Sequence, residues 1–233
     1  MMKDGHAYAA RARYLPFAVF MAFIGIDEII RFAASNGLFA LTDTTLYYLY
    51  PVKAVVVAAL LFHYRRAYTE FSLKDLTRLP VTAAVTLLGI LVFLLWINMD
   101  WALPAAGSPQ GFNPTLLPGV AVQLGMTAFR IAGAVLVVPL MEELFWRSYL
   151  IRSIVDHDFE KVPLGRFTWP SFLITVVLFG LEHHFVLAGM TAGILYSLVL
   201  YRTRSLAQCI LAHAVTNLAL AIYVIASGKW YFW

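Results

Sequence analysis

Residues 79–98 read LPVTAAVTLLGILVFLLWIN, and no ionisable side chain occurs between Arg78 and Asp100. About 20 mostly apolar residues are what an α-helix needs to cross the hydrocarbon core of a bilayer. The rest of the chain has the same character. Of its 233 residues 61% are hydrophobic and 13% charged, against about 45–50% and about 25% in soluble domains. Working outward from 79–98, the apolar runs predict seven helices, at about 14–32, 46–64, 79–98, 119–151, 169–187, 188–202 and 205–226. The fold class is therefore all-α, a polytopic bundle of about seven transmembrane helices, and residues 1–233 form one membrane domain. The split between the fifth and sixth helices rests on length and on Gly189. The stretch 100–118 holds Pro104, Pro109, Pro114 and Pro118, and predicts an external loop that is not helical throughout.

The formal net charge is +4, but there is no basic stripe and no nucleic-acid motif. The cations sit instead in alternate loops: Lys3, Arg11 and Arg13; Arg65, Arg66, Lys74 and Arg78; Arg152, Lys161 and Arg166; Arg202 and Arg204. The intervening segments hold Arg31, Lys53 and Lys229. Cytoplasmic loops carry the excess of Lys and Arg, so the N-terminus is expected in the cytoplasm and the C-terminus outside. Asp27 and Glu28 follow the first apolar run and no small-residue cleavage site does, so that run reads as an uncleaved span. With one cysteine, Cys209, no intrachain disulfide forms. Gly189 and Gly193 make a small-xxx-small face for close helix packing.

Three patterns place ionisable groups inside these apolar segments, where each costs roughly 2.5–3.5 kcal/mol on insertion scales. The first is Glu142-Glu143-Leu144-Phe145-Trp146-Arg147. Adjacent helical residues point about 100° apart, and Glu143 and Arg147 stand at i,i+4 in the favourable order. That pairing leaves Glu142 to face a cavity. Pro139 upstream predicts a kink that frees the carbonyl of Val135 and makes room for water. The second is Phe179-Gly180-Leu181-Glu182-His183, with Phe179 and His183 on one helical face and Glu182 and His184 on others. The third is His213-Ala214-Val215-Thr216-Asn217, whose polar pair projects together from one face.

At about 1.5 Å per residue, Glu142 lies roughly 15 Å above Arg152, His213 roughly 12 Å above Ser205 and His183 roughly 18–20 Å above Pro170. The three patterns thus reach similar depths, between the cytoplasmic interface and the midplane. A carboxylate in an apolar site is a stronger base than in water and can take a proton from a water nucleophile. His and Asn can donate hydrogen bonds to the oxyanion of a tetrahedral intermediate. No serine, cysteine or aspartate dyad competes, and the HExxH zinc-protease pattern is absent.

EExxxR, FxxxH and HxxxN, in that order on successive helices, resemble the CPBP (CAAX protease and bacteriocin-processing) family of intramembrane proteases. Its eukaryotic members are the type-two CAAX prenyl endopeptidases, and bacterial members are often linked to bacteriocin immunity. Some accompany exosortase-type protein sorting, and this chain's length suits that subgroup. The resemblance covers about 120–226, the catalytic core of 119–226; the helices within 14–118 carry no recognised motif. It implies an intramembrane endopeptidase acting near the cytoplasmic side of the membrane, here of a bacterial inner membrane. It further implies that Glu142 activates water together with His183, that His213 and Asn217 form the oxyanion hole, that Glu143 and Arg147 brace the site and that Phe179 packs beside it. The family has also been described as metal-dependent. Metal-free hydrolysis is the expectation, with zinc on Glu142, His183 and His213 as the alternative. The expected partners are membrane lipids and a peptide or protein substrate, with or without an attached lipid. A non-proteolytic scaffold or immunity-type partner is the runner-up, and a transporter the third reading.

Other buried charges have plainer readings. Asp27 and Arg31, at i,i+4, should pair at an interface. Lys53 should snorkel beside the outer tyrosines. Arg130 stands about three turns from Glu142, too far for direct pairing.

Overall fold

The computed structural model describes residues 2–42, 44–100 and 111–233. Pro104 and Pro109 of the anticipated loop lie outside the described residues. Among those described there is no strand, and seven helices form the bundle. They are α1 (Met2–Ser35), α2 (Leu49–His63), α3 (Leu79–Ile97), α4 (Val120–Ser153), α5 (Trp169–Leu181), α6 (Val186–Thr203) and α7 (Leu206–Ser227). Four of these, and α2 together with the 3-10 turn Thr45–Tyr48, are long and apolar enough to cross a membrane: α3, α4, α6 and α7 are the others. The remaining two depart from that description. α5 is apolar but has 13 residues, and α1 carries Asp27, Glu28 and Arg31 in its second half. Leu79, Leu87, Leu124, Leu136 and Ile222 are each more than 60% exposed, which is the surface lipid tails cover in an integral membrane protein.

Two boundaries differ from the sequence reading. α1 begins at Met2 rather than near residue 14, and it tolerates Pro16 within its length. The break between the fifth and sixth helices falls at residues 182–185 and not at Gly189. Glu182, His183 and His184 are three consecutive polar residues, which a helix in lipid cannot present on three faces at once. The turn that ends α5 closes with the His183 amide on the Gly180 carbonyl at 3.1 Å. Gly180 permits the tight return: a Cβ there would lie 2.3 Å from Met190 Cγ and 2.9 Å from the Val186 carbonyl oxygen of α6.

α3 packs along α7, and α5 along α6. The α3–α7 approach depends on Gly89, where a Cβ would stand 2.6 Å from the Ala212 carbonyl oxygen. Thr216 Oγ1 donates to the Gly89 carbonyl at 2.8 Å across the same contact. α4 contains two π-helical segments, Gly133–Val137 and Leu144–Leu150, on either side of Pro139 and the two glutamates. Around Pro139, where a kink was expected, the helix has widened turns on either side. The carbonyl taken up by a side chain there is that of Ala134, not Val135.

Buried polar contacts tie one end of the bundle together. Arg13 on α1 is 1% exposed and grips Glu70 with Nε at 2.8 Å and Nη2 at 2.5 Å. Ser148 of α4 donates to the same carboxylate, and Arg152 stands 3.6 Å from it. Ser205 Oγ reaches Asp75 at 2.5 Å, and Gln208 Nε2 donates to the Asp75 carbonyl at 2.9 Å. At the other end aromatic groups make the seal. Phe185, Val224 and Phe232 form one cluster, Phe112, Leu117 and Met126 another, and the Phe112 amide donates to the Trp233 carbonyl at 3.2 Å.

Burial alone would raise the Glu70 carboxyl, but the hydrogen bonds and charge of Arg13 outweigh it and hold the group below its ordinary value of 4.5. Its stabilising effect is therefore complete above that value and is lost as pH falls below it. Glu70→Gln, which leaves two guanidinium groups facing a neutral amide, should cost about 3–5 kcal/mol. The variant should show a lower thermal midpoint in detergent micelles at pH 7 and a shallower loss of midpoint than the wild type on acidification below pH 4.5. An unchanged midpoint would remove this anchor from the account.

Candidate active site

The three motifs converge. Glu142 comes from α4, His183 from the break after α5, and His213 and Asn217 from α7; all four line one cavity of about 210 Å³. Phe179, Tyr196, Trp96, Arg130 and Thr216 contribute to its walls. Glu143 and Arg147 lie behind that wall, both wholly buried.

Glu143 organises the wall. Its carboxylate takes the Arg147 guanidinium at 3.2 and 3.3 Å, the anticipated i,i+4 pair. The same carboxylate meets His213 Nδ1 at 2.9 Å. Arg147 is further committed to the Gly193 carbonyl at 3.4 Å and lies over the Phe179 ring at 4.4 Å. Phe179 therefore does more than pack beside the site, because its face shields and receives a buried cation. Gly193 leaves just enough room for that ring, 3.2 Å from where a Cβ would sit. Tyr196 stacks on His213 at 5.0 Å between centroids, which fixes the imidazole plane.

Glu142 is turned the other way, into the cavity. Its Oε2 is buried, lacks a hydrogen-bond partner and stands 4.0 Å from His213 Nε2. His183 Nδ1 lies 2.7 Å from the Phe179 carbonyl. A carbonyl only accepts, so Nδ1 carries the proton and Nε2 keeps a lone pair. Asn217 Nδ2 donates one hydrogen to the Ala134 carbonyl in the first π segment at 2.8 Å. One N–H of that amide remains for another acceptor.

Glu182 is the residue the helical reading set aside. Because α5 ends at Leu181, Glu182 is not carried to a different face. Its carboxylate accepts from Trp146 Nε1 at 3.0 Å and lies 3.8 Å from His183 Nδ1. Potential ligand atoms of Glu142, Glu182 and His183 all fall within 4.8 Å of one another. His213, with Nδ1 committed to Glu143, is not in that compact trio. The one sign in the sequence was the run Glu182-His183-His184 inside an apolar segment, which signals a helix end.

The two adjacent glutamates should respond differently to loss of charge. Glu143→Gln leaves Arg147 as a buried cation without its counter-charge, and should cost about 3–5 kcal/mol. Glu142→Gln removes an acceptor that is already unsatisfied and should leave the midpoint unchanged or raise it. Thermal unfolding of the two purified variants, side by side, checks this. Equal destabilisation would mean that Glu142 belongs to the scaffold.

Residues 124–219 match the model of a family described as type II CAAX prenyl endopeptidase Rce1-like. That segment contains all three motifs and every charged group of the cavity wall on α4, α5 and α7. No curated protein and no solved structure matches the chain. Over that segment, where the three motifs gather at one cavity among the apolar spans, the chain is similar to the Rce1-like family of CAAX-type intramembrane proteases.

Proposed function

We propose that the protein is an intramembrane endopeptidase in which Glu142 activates water within the cavity. One observation carries this reading: Glu142 Oε2 is buried and unpartnered, on a wall shared with His183, His213 and Asn217. As the water oxygen bonds to the scissile carbonyl carbon, Glu142 takes its proton. The same proton then passes to the leaving amine nitrogen as the C–N bond breaks. His183 Nε2, with its lone pair, accepts the second hydrogen bond of the water and aims it. His213 has one N–H on Glu143, so its donation to an oxyanion uses a second proton at Nε2. Glu143 and the oxyanion itself offset the imidazolium charge that results, Glu142 being protonated at that stage. The remaining N–H of Asn217 supplies the other donor. By the positive-inside rule the end held by Arg13, Glu70 and Arg152 faces the cytoplasm, and the substrate is a peptide or protein reaching the site within the bilayer.

A divalent metal fits the donor set, with Glu142, Glu182 and His183 as the residues that would hold it in place of the Glu142, His183 and His213 combination. Zinc bound there would supply a hydroxide nucleophile at neutral pH. The metal-free reading is preferred because Glu142, His183, His213 and Asn217 put a base and hydrogen-bonding groups on one cavity wall.

Removal of a positioned general base costs about 10²–10⁴-fold in rate. Comparing peptide termini in membranes that contain wild-type or Glu142→Gln protein should show a set of cleavage products that the variant does not make. A Glu142→Gln protein that yields the same products sinks the assignment, and one that fully replaces the wild type in cells gives the role to a non-proteolytic scaffold. Cleavage by the purified protein should survive a strong zinc chelator. Loss of activity with recovery on added zinc would instead favour the metal-bound form.

A further inference from the structure

At the end of the bundle held by Arg13 and Glu70, the first turns of α1 meet the loop between α4 and α5. Phe159 plugs the contact. It is wholly buried, packs on Ala9 and Ala10 of α1, and has the guanidinium groups of Arg13 and Arg152 over its ring at 5.0 and 4.9 Å. The residues on either side of this plug, Asp158 and Glu160, are carboxylates, and both reach His6 of α1. His6 Nδ1 stands 3.3 Å from Asp158 Oδ1 and 3.8 Å from Glu160 Oε2. The His6 ring lies 5.6 Å from that of Phe159, centroid to centroid, a contact that limits how the imidazole turns. Yet His6 Nδ1 is buried and makes no hydrogen bond. Asp158 uses Oδ2 for Lys161 at 2.9 Å, which leaves Oδ1 on the His6 side. The loop is held in shape by the Asp158 amide on Asp156 Oδ1 at 2.9 Å and by the Lys161 amide on the Asp158 carbonyl at 3.0 Å.

A buried imidazole nitrogen without a hydrogen bond costs free energy, and two carboxylates beside it repel each other. One cation among the three atoms answers both. We propose that His6, Asp158 and Glu160 bind a single divalent transition-metal ion, such as zinc, that latches α1 to the loop between α4 and α5. Donors about 2.0–2.2 Å from zinc at a tetrahedral angle stand about 3.3–3.5 Å apart. His6 Nδ1 and Asp158 Oδ1 already have that spacing. Glu160, 46% exposed, is free to close the remaining gap, and all three ligand atoms lie within 4.8 Å of one another. Nitrogen among the donors favours a transition ion over magnesium or calcium, and water completes the shell. The site shares no residue with the catalytic cavity, and its effect is mechanical. α1 contributes Phe20 to that cavity, and the loop leads into α5, which ends just before His183. An ion held by both segments fixes one against the other. The proposal is independent of the endopeptidase reading.

Calorimetry with zinc chloride tests the site. The titration uses the full chain in detergent micelles at neutral pH, carrying Glu142→Gln so that the trio in the catalytic cavity lacks one ligand. Adding His6→Gln or Asp158→Asn should weaken zinc binding by about tenfold or more, with thermal midpoints in the absence of zinc confirming that the variants fold. An excess of magnesium should not compete. His157→Gln should leave the affinity unchanged, because His157 is 95% exposed and stands on Asp156 at 3.1 Å. Zinc should also slow amide hydrogen exchange at residues 5–12 and 154–162, and should not do so in the His6→Gln protein. Equal affinity with and without His6, or no binding at all, overturns the proposal and leaves His6 in a plain ion pair with Asp158. Affinity lost with His157→Gln and kept with His6→Gln also overturns it, and gives the ion to an adventitious surface site. Binding through His6 without slower exchange removes the latch. Activity plays no part in these measurements, so failure of the peptidase reading leaves their result standing.

Discussion

A carboxylate buried among helices must find its partners within the protein, because no water is at hand in the hydrocarbon core. Glu143 meets that constraint by holding two partners at once, Arg147 at 3.2 Å and His213 Nδ1 at 2.9 Å. Most of the site follows from this. α4 and α7 are brought together at the depth of Glu143, His213 is held with one nitrogen toward the cavity, and Arg147 is drawn under Phe179 and the Gly193 carbonyl of α6. Glu142, one residue earlier, is left without a hydrogen bond and faces the open volume. One of two adjacent acids is saturated so that the other can be reactive.

The same accounting explains the irregular backbone around the cavity. A straight α-helix satisfies its own carbonyls and has none to offer. The π segment at Gly133–Val137 releases the Ala134 carbonyl, which Asn217 takes. The end of α5 releases the Phe179 carbonyl, which sets the tautomer of His183. Both polar side chains are thus oriented by backbone groups that regular helices would have hidden.

Much of this was legible in the residues. The apolar run at 79–98 returns as α3 at Leu79–Ile97, because a span without charges has only one way to satisfy its backbone in lipid. The Glu143–Arg147 pair was legible because i,i+4 spacing survives even in a widened turn. Glu182 was not legible. The helical rule sends it about 100° away from His183, and that rule lapses where α5 stops at Leu181. Lys53 was misread for a related reason: its Nζ lies 4.1 Å from the centroid of the Phe20 ring, and proximity to the outer tyrosines says nothing about which way a long side chain turns.

By itself the sequence determined that the chain is an all-helical membrane protein, that three polar motifs lie at similar depths, and which glutamate pairs with arginine. These depend on local spacing and on the cost of charge in lipid, both of which are readable along one dimension. Only the tertiary structure decided that His213 is bound to Glu143 and that Glu182 joins Glu142 and His183. Each of these is a contact between segments far apart in the chain. It is set by how closely Gly89, Gly180 and Gly193 let the helices approach, and no spacing within a single helix encodes that distance.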